Sequence, residues 1–127
     1  MIKKLTINSY SDFYLYYLTQ HMEPVCRTLH TIGTGLGFLC LIGIFITGKW
    51  WLLLVGLALG YGFAWTGHFF FEKNKPAAFS NPWWSFISDW VMFKDVLTGQ
   101  IKTKLAIAQE KYGDYISDTA LAAINKK

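Results

Sequence analysis

The residues of this chain with the most chemistry in their type and spacing are its three histidines, His21, His30 and His68. His30 and His68 stand at the same-side ends of two uncharged runs, Thr28–Gly48 and Trp50–Phe71, which meet at Lys49. If the chain reverses there, the two imidazoles lie within about 1.5 to 3 Å of one depth, at 1.5 Å of rise per residue. His21 sits just before Pro24, at the entrance to the first run, and so near His30. Glu72 follows His68 by four residues, which on an α-helix sets imidazole and carboxylate on one face. Imidazoles and a carboxylate with open positions are a ligand set for non-heme Fe(II), and ionisable groups at membrane depth are functional candidates by default. His21, His30 and His68 are therefore the expected metal ligands, and the same three with Glu72 the expected catalytic groups. A lone histidine at such a depth is more often simply hydrogen-bonded to a carbonyl, but here all three converge on one end of the bundle. Beside Lys73 and Lys75, Glu72 also reads as a solvated charge at a helix end.

Other side chains could serve the same site. Asp89 lies among Phe86, Ile87, Trp90 and Val91, where an unpaired charge is costly, so it should turn inward and could orient a ligand histidine from behind. Arg27, Lys73 and Lys75 could offset a substrate carboxylate at the interface, and Trp65 and Phe69 could wall off water. Cys26 has C-x-x-x-H spacing to His30, a weak metal signal.

Each uncharged run can cross a hydrocarbon core of about 30 Å as a helix. At 53% apolar, 18% aromatic and only 16% charged residues, the chain is too greasy for a soluble fold of 127 residues. The expected class is all-α: an integral membrane helical bundle with an antiparallel transmembrane hairpin, about 28-48 and 50-71, and amphipathic or partly inserted flanking helices. Within a single membrane domain, 1-127, residues 10-22 read as an aromatic interfacial helix, with Ser9 and Asp12 resembling a capping box. Pro82 and Gly99 bracket an interfacial or re-entrant helix over 82-97, and 100-127 reads as a polar tail of two short helices. Gly33 and Gly37, with Gly56 and Gly60, would let the long helices approach closely; counting outward from the turn brings Gly35 and Gly37 level with Gly60 and Gly62.

Of the twelve lysines and arginines only Lys49 lies in the hairpin turn, which places both termini and the metal site on the cytoplasmic side of a multi-pass protein. Trp65, Phe69, Phe70 and Phe71 suit an aromatic belt at that interface. The net charge of +4 is spread over segment ends, beyond the pairs Lys3-Lys4 and Lys126-Lys127, so it fits lipid headgroups and not nucleic acid. Cys26 and Cys40 read as thiols, since Cys40 has no partner at its depth. Met1–Tyr10 has no apolar core or small-residue cleavage pattern and does not read as a removable signal peptide.

The strings EPVCRTLHTIGT (Glu23–Thr34), GYGFAWTGHFFFEKNKPAAF (Gly60–Phe79) and DWVMF (Asp89–Phe93) carry a resemblance. They are similar to the small membrane-protein family of Fe(II)-dependent 2-hydroxy fatty acid dioxygenases, relatives of the fungal enzyme of phytosphingosine breakdown. The likeness covers roughly Phe13 to Gly99 and is most specific over Trp65–Ala77. It implies α-oxidation, in which Fe(2+) and O2 shorten a long-chain 2-hydroxy fatty acid by one carbon. It also implies His21, His30 and His68 as the iron ligands, with Glu72 and Asp89 as acidic positions in the same motifs. From the residues alone two other readings stay open. Opposed histidines on antiparallel spans beside glycines also hold b-type heme in electron-transfer proteins, and a non-catalytic lipid-binding membrane protein would need no metal. Zinc suits the ligand types, but no general base for a hydrolase is evident.

Overall fold

A computed structural model describes residues 7–76 and 80–125, which leaves Lys3, Lys4, Ala77, Lys126 and Lys127 of the sequence arguments outside the described residues. The described chain is helical throughout, with no strand. Helix α1 spans Tyr10–Thr19, α2 Pro24–Thr47, α3 Leu52–Thr66, α4 Pro82–Thr98, α5 Ile101–Tyr112 and α6 Asp118–Ile124. A π-helical turn over Gly67–Glu72 continues α3.

The boundaries follow local chemistry. Ser9 caps α1, its hydroxyl accepting from the Asp12 amide at 3.3 Å, as the capping box anticipates. Pro24 does not merely end the aromatic pattern but occupies the first turn of α2, where its missing N–H costs nothing, so this helix starts four residues ahead of the expected 28. The Glu23 side chain accepts from the Cys26 amide and caps that start. Gly48 (φ 71°) and Gly99 (φ 79°) end α2 and α4 in the left-handed conformation that glycine adopts without strain.

Two helical stretches, Pro24–Thr47 and Leu52–Glu72, are long and apolar enough to cross a membrane. They pack along their length through glycines. A Cβ on Gly33 would meet Gly60 O and Phe63 Cβ at 2.9 Å, and one on Gly37 would sit 3.5 Å from Gly56 O. Gly60 thus meets Gly33, whereas the count from the turn sets Gly60 and Gly62 level with Gly35 and Gly37, and a Cβ on Gly62 would meet nothing within 4 Å. Counting from a turn fixes depth, whereas contact also requires both residues to lie on the facing stripes.

The packed core lies beyond this pair. Phe13, Tyr14, Tyr17 and Leu18 of α1 are buried with Met92 of α4, Ala108 of α5, and Ile116 and Ala120. The aromatic face expected to lie along an interface is thus packed against α4 and α5. In α4 the usual pattern is inverted: Ser85, Ser88 and Asp95 are buried while Trp83, Phe86, Ile87 and Leu97 are exposed.

Asp95 ties α4 to its neighbours. Tyr14 donates to it at 2.6 Å, and Lys94 and Lys104 each approach within 3.1 Å. Burial pushes this carboxyl up, but the Tyr14 hydroxyl and the two ammonium groups outweigh that and hold it below the usual carboxylate range. A depressed folded-state pKa gives stability that is present above the unfolded value, about 3.9, and is lost as pH falls through the folded value. Thermal unfolding in detergent should therefore show a melting temperature that drops below about pH 4. Asp95→Asn should start from a lower melting temperature and lose that slope; an unchanged acid limb would remove Asp95 as its source.

Candidate metal centre

Each histidine reaches the centre by a different local device. His21 sits in the corner between α1 and α2, His30 on the second turn of α2, and His68 in the π-helical turn. The wider i→i+5 turn closes where the His68 carbonyl accepts from the Lys73 and Asn74 amides, with Lys73 left-handed at φ 61°. Gly67 makes the approach feasible, since a Cβ there would lie 3.0 Å from Cys26 Cα.

The three imidazoles are 0%, 5% and 2% exposed in chain order, and one ligand atom from each falls within 4.8 Å of the others. Ring centroids are 4.6 Å apart for His21–His30, 4.5 Å for His21–His68 and 5.9 Å for His30–His68.

Hydrogen bonding assigns one nitrogen of each ring. His21 Nδ1 donates to Tyr17 O at 2.7 Å, leaving Nε2 buried with no partner. His30 Nε2 lies 3.3 Å from Asp89 Oδ1, leaving Nδ1 buried with no partner. His68 Nδ1 donates to Asn74 Oδ1 at 2.7 Å. The Asn74 amide is oriented by its NH2, which donates to Gln20 O and Gln20 Oε1, so Oδ1 must face the ring. Two buried nitrogens without partners are costly in a folded protein unless something coordinates them. A carbonyl, carboxylate or amide oxygen behind each ring is the usual arrangement around metal-ligating histidines. Burial, then the neighbouring His68 and His30 rings, push the His21 imidazole well below its ordinary range, so it carries a lone pair at neutral pH. Burial likewise pushes Asp89 up to about 7, against the pull of the hydrogen bond from Tyr17, and a cation in the cluster would favour its carboxylate form.

A cavity of about 10 Å³ adjoins the cluster, lined by the three histidines, Tyr17, Tyr61, Ala64, Trp65, Pro76, Ser85 and Asp89. Ser85 Oγ is buried there with no partner. Three imidazoles, each backed by a carbonyl, carboxylate or amide oxygen, fit a metal ion. They do not fit a porphyrin, because rings 4.5 to 5.9 Å apart leave no slot for a macrocycle between them.

The structure brings His21, His30, His68, Asp89 and Trp65 to this cavity. Glu72 goes elsewhere, although it follows His68 by four residues within the π turn. Its buried carboxylate accepts from the Glu23 amide at 2.9 Å and from Ser117 Oγ at 3.2 Å, holding the α1–α2 corner, the π turn and the start of α6 together. Arg27 donates to the carbonyls of His21 and Met22 and braces the same corner. Lys73 and Lys75 are exposed, and neither they, Arg27 nor Phe69 lines the cavity. Cys26 is a buried free thiol and Cys40 a half-buried one. Sequence reasoning missed Tyr17, Asn74 and Ser85. Tyr17 was read only as part of an aromatic stripe, Asn74 lay within the quoted motif without a role, and nothing in the sequence marks Ser85.

Comparisons with curated proteins and with solved structures return no match. The sequence model of the family described as 2-hydroxy-palmitic acid dioxygenase Mpo1-like matches residues 7–101, a span that includes all three histidines, Asn74 and Asp89. With the match covering most of its length, the chain belongs to the Mpo1-like family.

Proposed function

We propose that the protein is a membrane-embedded, non-heme Fe(II) dioxygenase that shortens long-chain 2-hydroxy fatty acids by one carbon. The observation that carries this reading is the set of three buried histidines whose outer nitrogens are held by Tyr17 O, Asp89 and Asn74 while His21 Nε2 and His30 Nδ1 have no partner. The family match supplies the substrate class.

Bound Fe(II) would supply chelation of the substrate's carboxylate and 2-hydroxyl and the electron transfer to O2 that cleaving the C1–C2 bond requires. One O2 converts a 2-hydroxy acid to the acid one carbon shorter, CO2 and water with atoms and electrons balanced, so no further reductant is needed. His21, His30 and His68 hold the ion. Asp89, Asn74 and the Tyr17 carbonyl keep each ring in the ligating tautomer. Ser85 Oγ, without a protein partner, is available to the substrate's polar end, and Tyr61 and Trp65 exclude water from it.

The membrane reading is that α2 and α3 form an antiparallel transmembrane hairpin with the termini and the metal site on the cytoplasmic side. The glycine contacts support it, because Gly33 meets Gly60 and the later Gly37 meets the earlier Gly56. Exposed apolar side chains along the pair, with Phe45 at 82% and Leu54 at 71%, suit lipid, as does the polar-in, apolar-out face of α4.

The test is mass spectrometry of products after the Fe(II)-loaded, detergent-purified protein is incubated with 2-hydroxyhexadecanoic acid in air. Pentadecanoic acid, absent without iron, is the expected result. Stoichiometric iron with no shortened acid from any 2-hydroxy acid would overturn the reading.

A further inference from the structure

A second, larger cavity of about 160 Å³ runs between α2 and α3. It shares His30, Tyr61, Ala64 and Asp89 with the small cavity at the histidines, so the two adjoin at the metal centre. Its middle is bounded by Gly37, Cys40 and Gly56, and its far end by Ile44, Leu52 and Leu53. Beyond His30 and Asp89 the lining is almost wholly apolar, and the hydroxyl of Thr34 is turned back to the His30 carbonyl at 3.1 Å. Leu52 closes the far end, its Cδ1 lying 3.0 Å from where a Cβ on Gly43 would stand. At the near end His30 offers a buried nitrogen with no protein partner.

We infer that this groove holds the acyl chain of the substrate with its polar head at the histidines, and that Ile44, Leu52 and Leu53 set the chain length. The inference rests on the dioxygenase reading for the identity of the head group. The occupant follows from the shape and chemistry of the space. From His30 to Ile44 the axis of α2 advances about 21 Å at 1.5 Å per residue. An extended alkyl chain advances about 1.3 Å per carbon, given C–C bonds of about 1.5 Å, so about 16 carbons span the distance. A glycine-lined middle admits a methylene chain, and an apolar lining gives a chain no polar group to desolvate. The rim residues Leu41, Leu53 and Leu57 are each 39 to 45% exposed, which lets a chain enter sideways from the bilayer.

The experiment uses two 16-carbon 2-hydroxy acids, one carrying a photoactivatable diazirine near carbon 5 and one at the terminal carbon. Each is bound to the iron-loaded full chain in lipid nanodiscs under anaerobic conditions, so no turnover is needed. Mapping the adducts by mass spectrometry should place the first probe near Thr34 and Gly60 and the second at Ile44, Leu52 or Leu53. Hexadecanoic acid probes lacking the 2-hydroxyl should label these positions several-fold less. Labels from both probes scattered over outward-facing Phe45, Ile46 and Leu54, as bulk lipid would give, would overturn the inference. A companion variant, Cys40→Phe, should slow turnover of 2-hydroxyhexadecanoic acid at least tenfold more than that of 2-hydroxyoctanoic acid, because a short chain ends above it. Equal effects on both substrates would count against a length-setting groove. Ordered labels, with no shortened product from the same iron-loaded protein in air, would leave the groove standing and sink the dioxygenase reading, whereas product in air with scattered labels would do the reverse.

Discussion

His68→Ala is expected to abolish turnover and to cost more than about 100-fold in iron affinity, a larger loss than the 10–100-fold typical of partners behind a ligand. The ring is 2% exposed and its outer nitrogen is already committed to Asn74, so it has no role at the protein surface. Helix packing should survive, because the contacts that join α2 to α3 run through Gly33, Gly37, Gly56 and Gly60, away from the imidazole. Iron content by elemental analysis, circular dichroism and a single detergent-micelle peak on size exclusion together make the check. A folded His68→Ala protein that retains stoichiometric iron and full turnover would remove this residue from the ligand set. His21→Ala should behave alike, since its Nε2 is buried with no partner and its ring lies 4.5 Å from that of His68.

Asp89→Ala should lower iron affinity by about 10–100-fold without removing a ligand. The carboxylate does two jobs at once: it lies 3.3 Å from His30 Nε2 and accepts the Tyr17 hydroxyl. Without it His30 Nε2 keeps only the 3.4 Å contact with the Tyr17 hydroxyl, which allows the other tautomer, and that buried hydroxyl loses its stronger acceptor, a cost of about 1–3 kcal/mol. Asp89→Asn keeps the shape and an oxygen acceptor for His30 and should recover only part of the affinity; full recovery would mean that shape, and not the carboxylate charge, is what Asp89 supplies. An iron-binding isotherm identical for Asp89→Ala and the unaltered protein would exclude Asp89 from supporting the centre.

The chain's own types and periods reached far. Capping chemistry at Ser9, prolines at positions 24 and 82, and glycines at 48 and 99 are local signals, and the helices start or stop beside them because the energetics involve only neighbouring residues. The meeting of His30 with His68 was legible for a similar reason, since two long helices joined by a short turn have few ways to arrange their ends. His21 followed from its place just ahead of Pro24.

What escaped the sequence depends on azimuth and on contacts between distant segments. A π-helical turn is one extra residue in a helical pattern, and apolar periodicity over six residues reveals neither that turn nor the partners Glu23 and Ser117 that hold Glu72 on it. The partners behind the rings come from the end of α1, from α4 and from the loop after the π turn; only packing brings Tyr17, Asp89 and Asn74 together. A Cβ on Gly62 would meet nothing, because depth is a one-dimensional count whereas helix contact also selects a face. Sequence by itself determined the helices and which residue types could ligate. Tertiary structure decided which nitrogen of each histidine is free, because a tautomer is set by the atom on the other side of the ring.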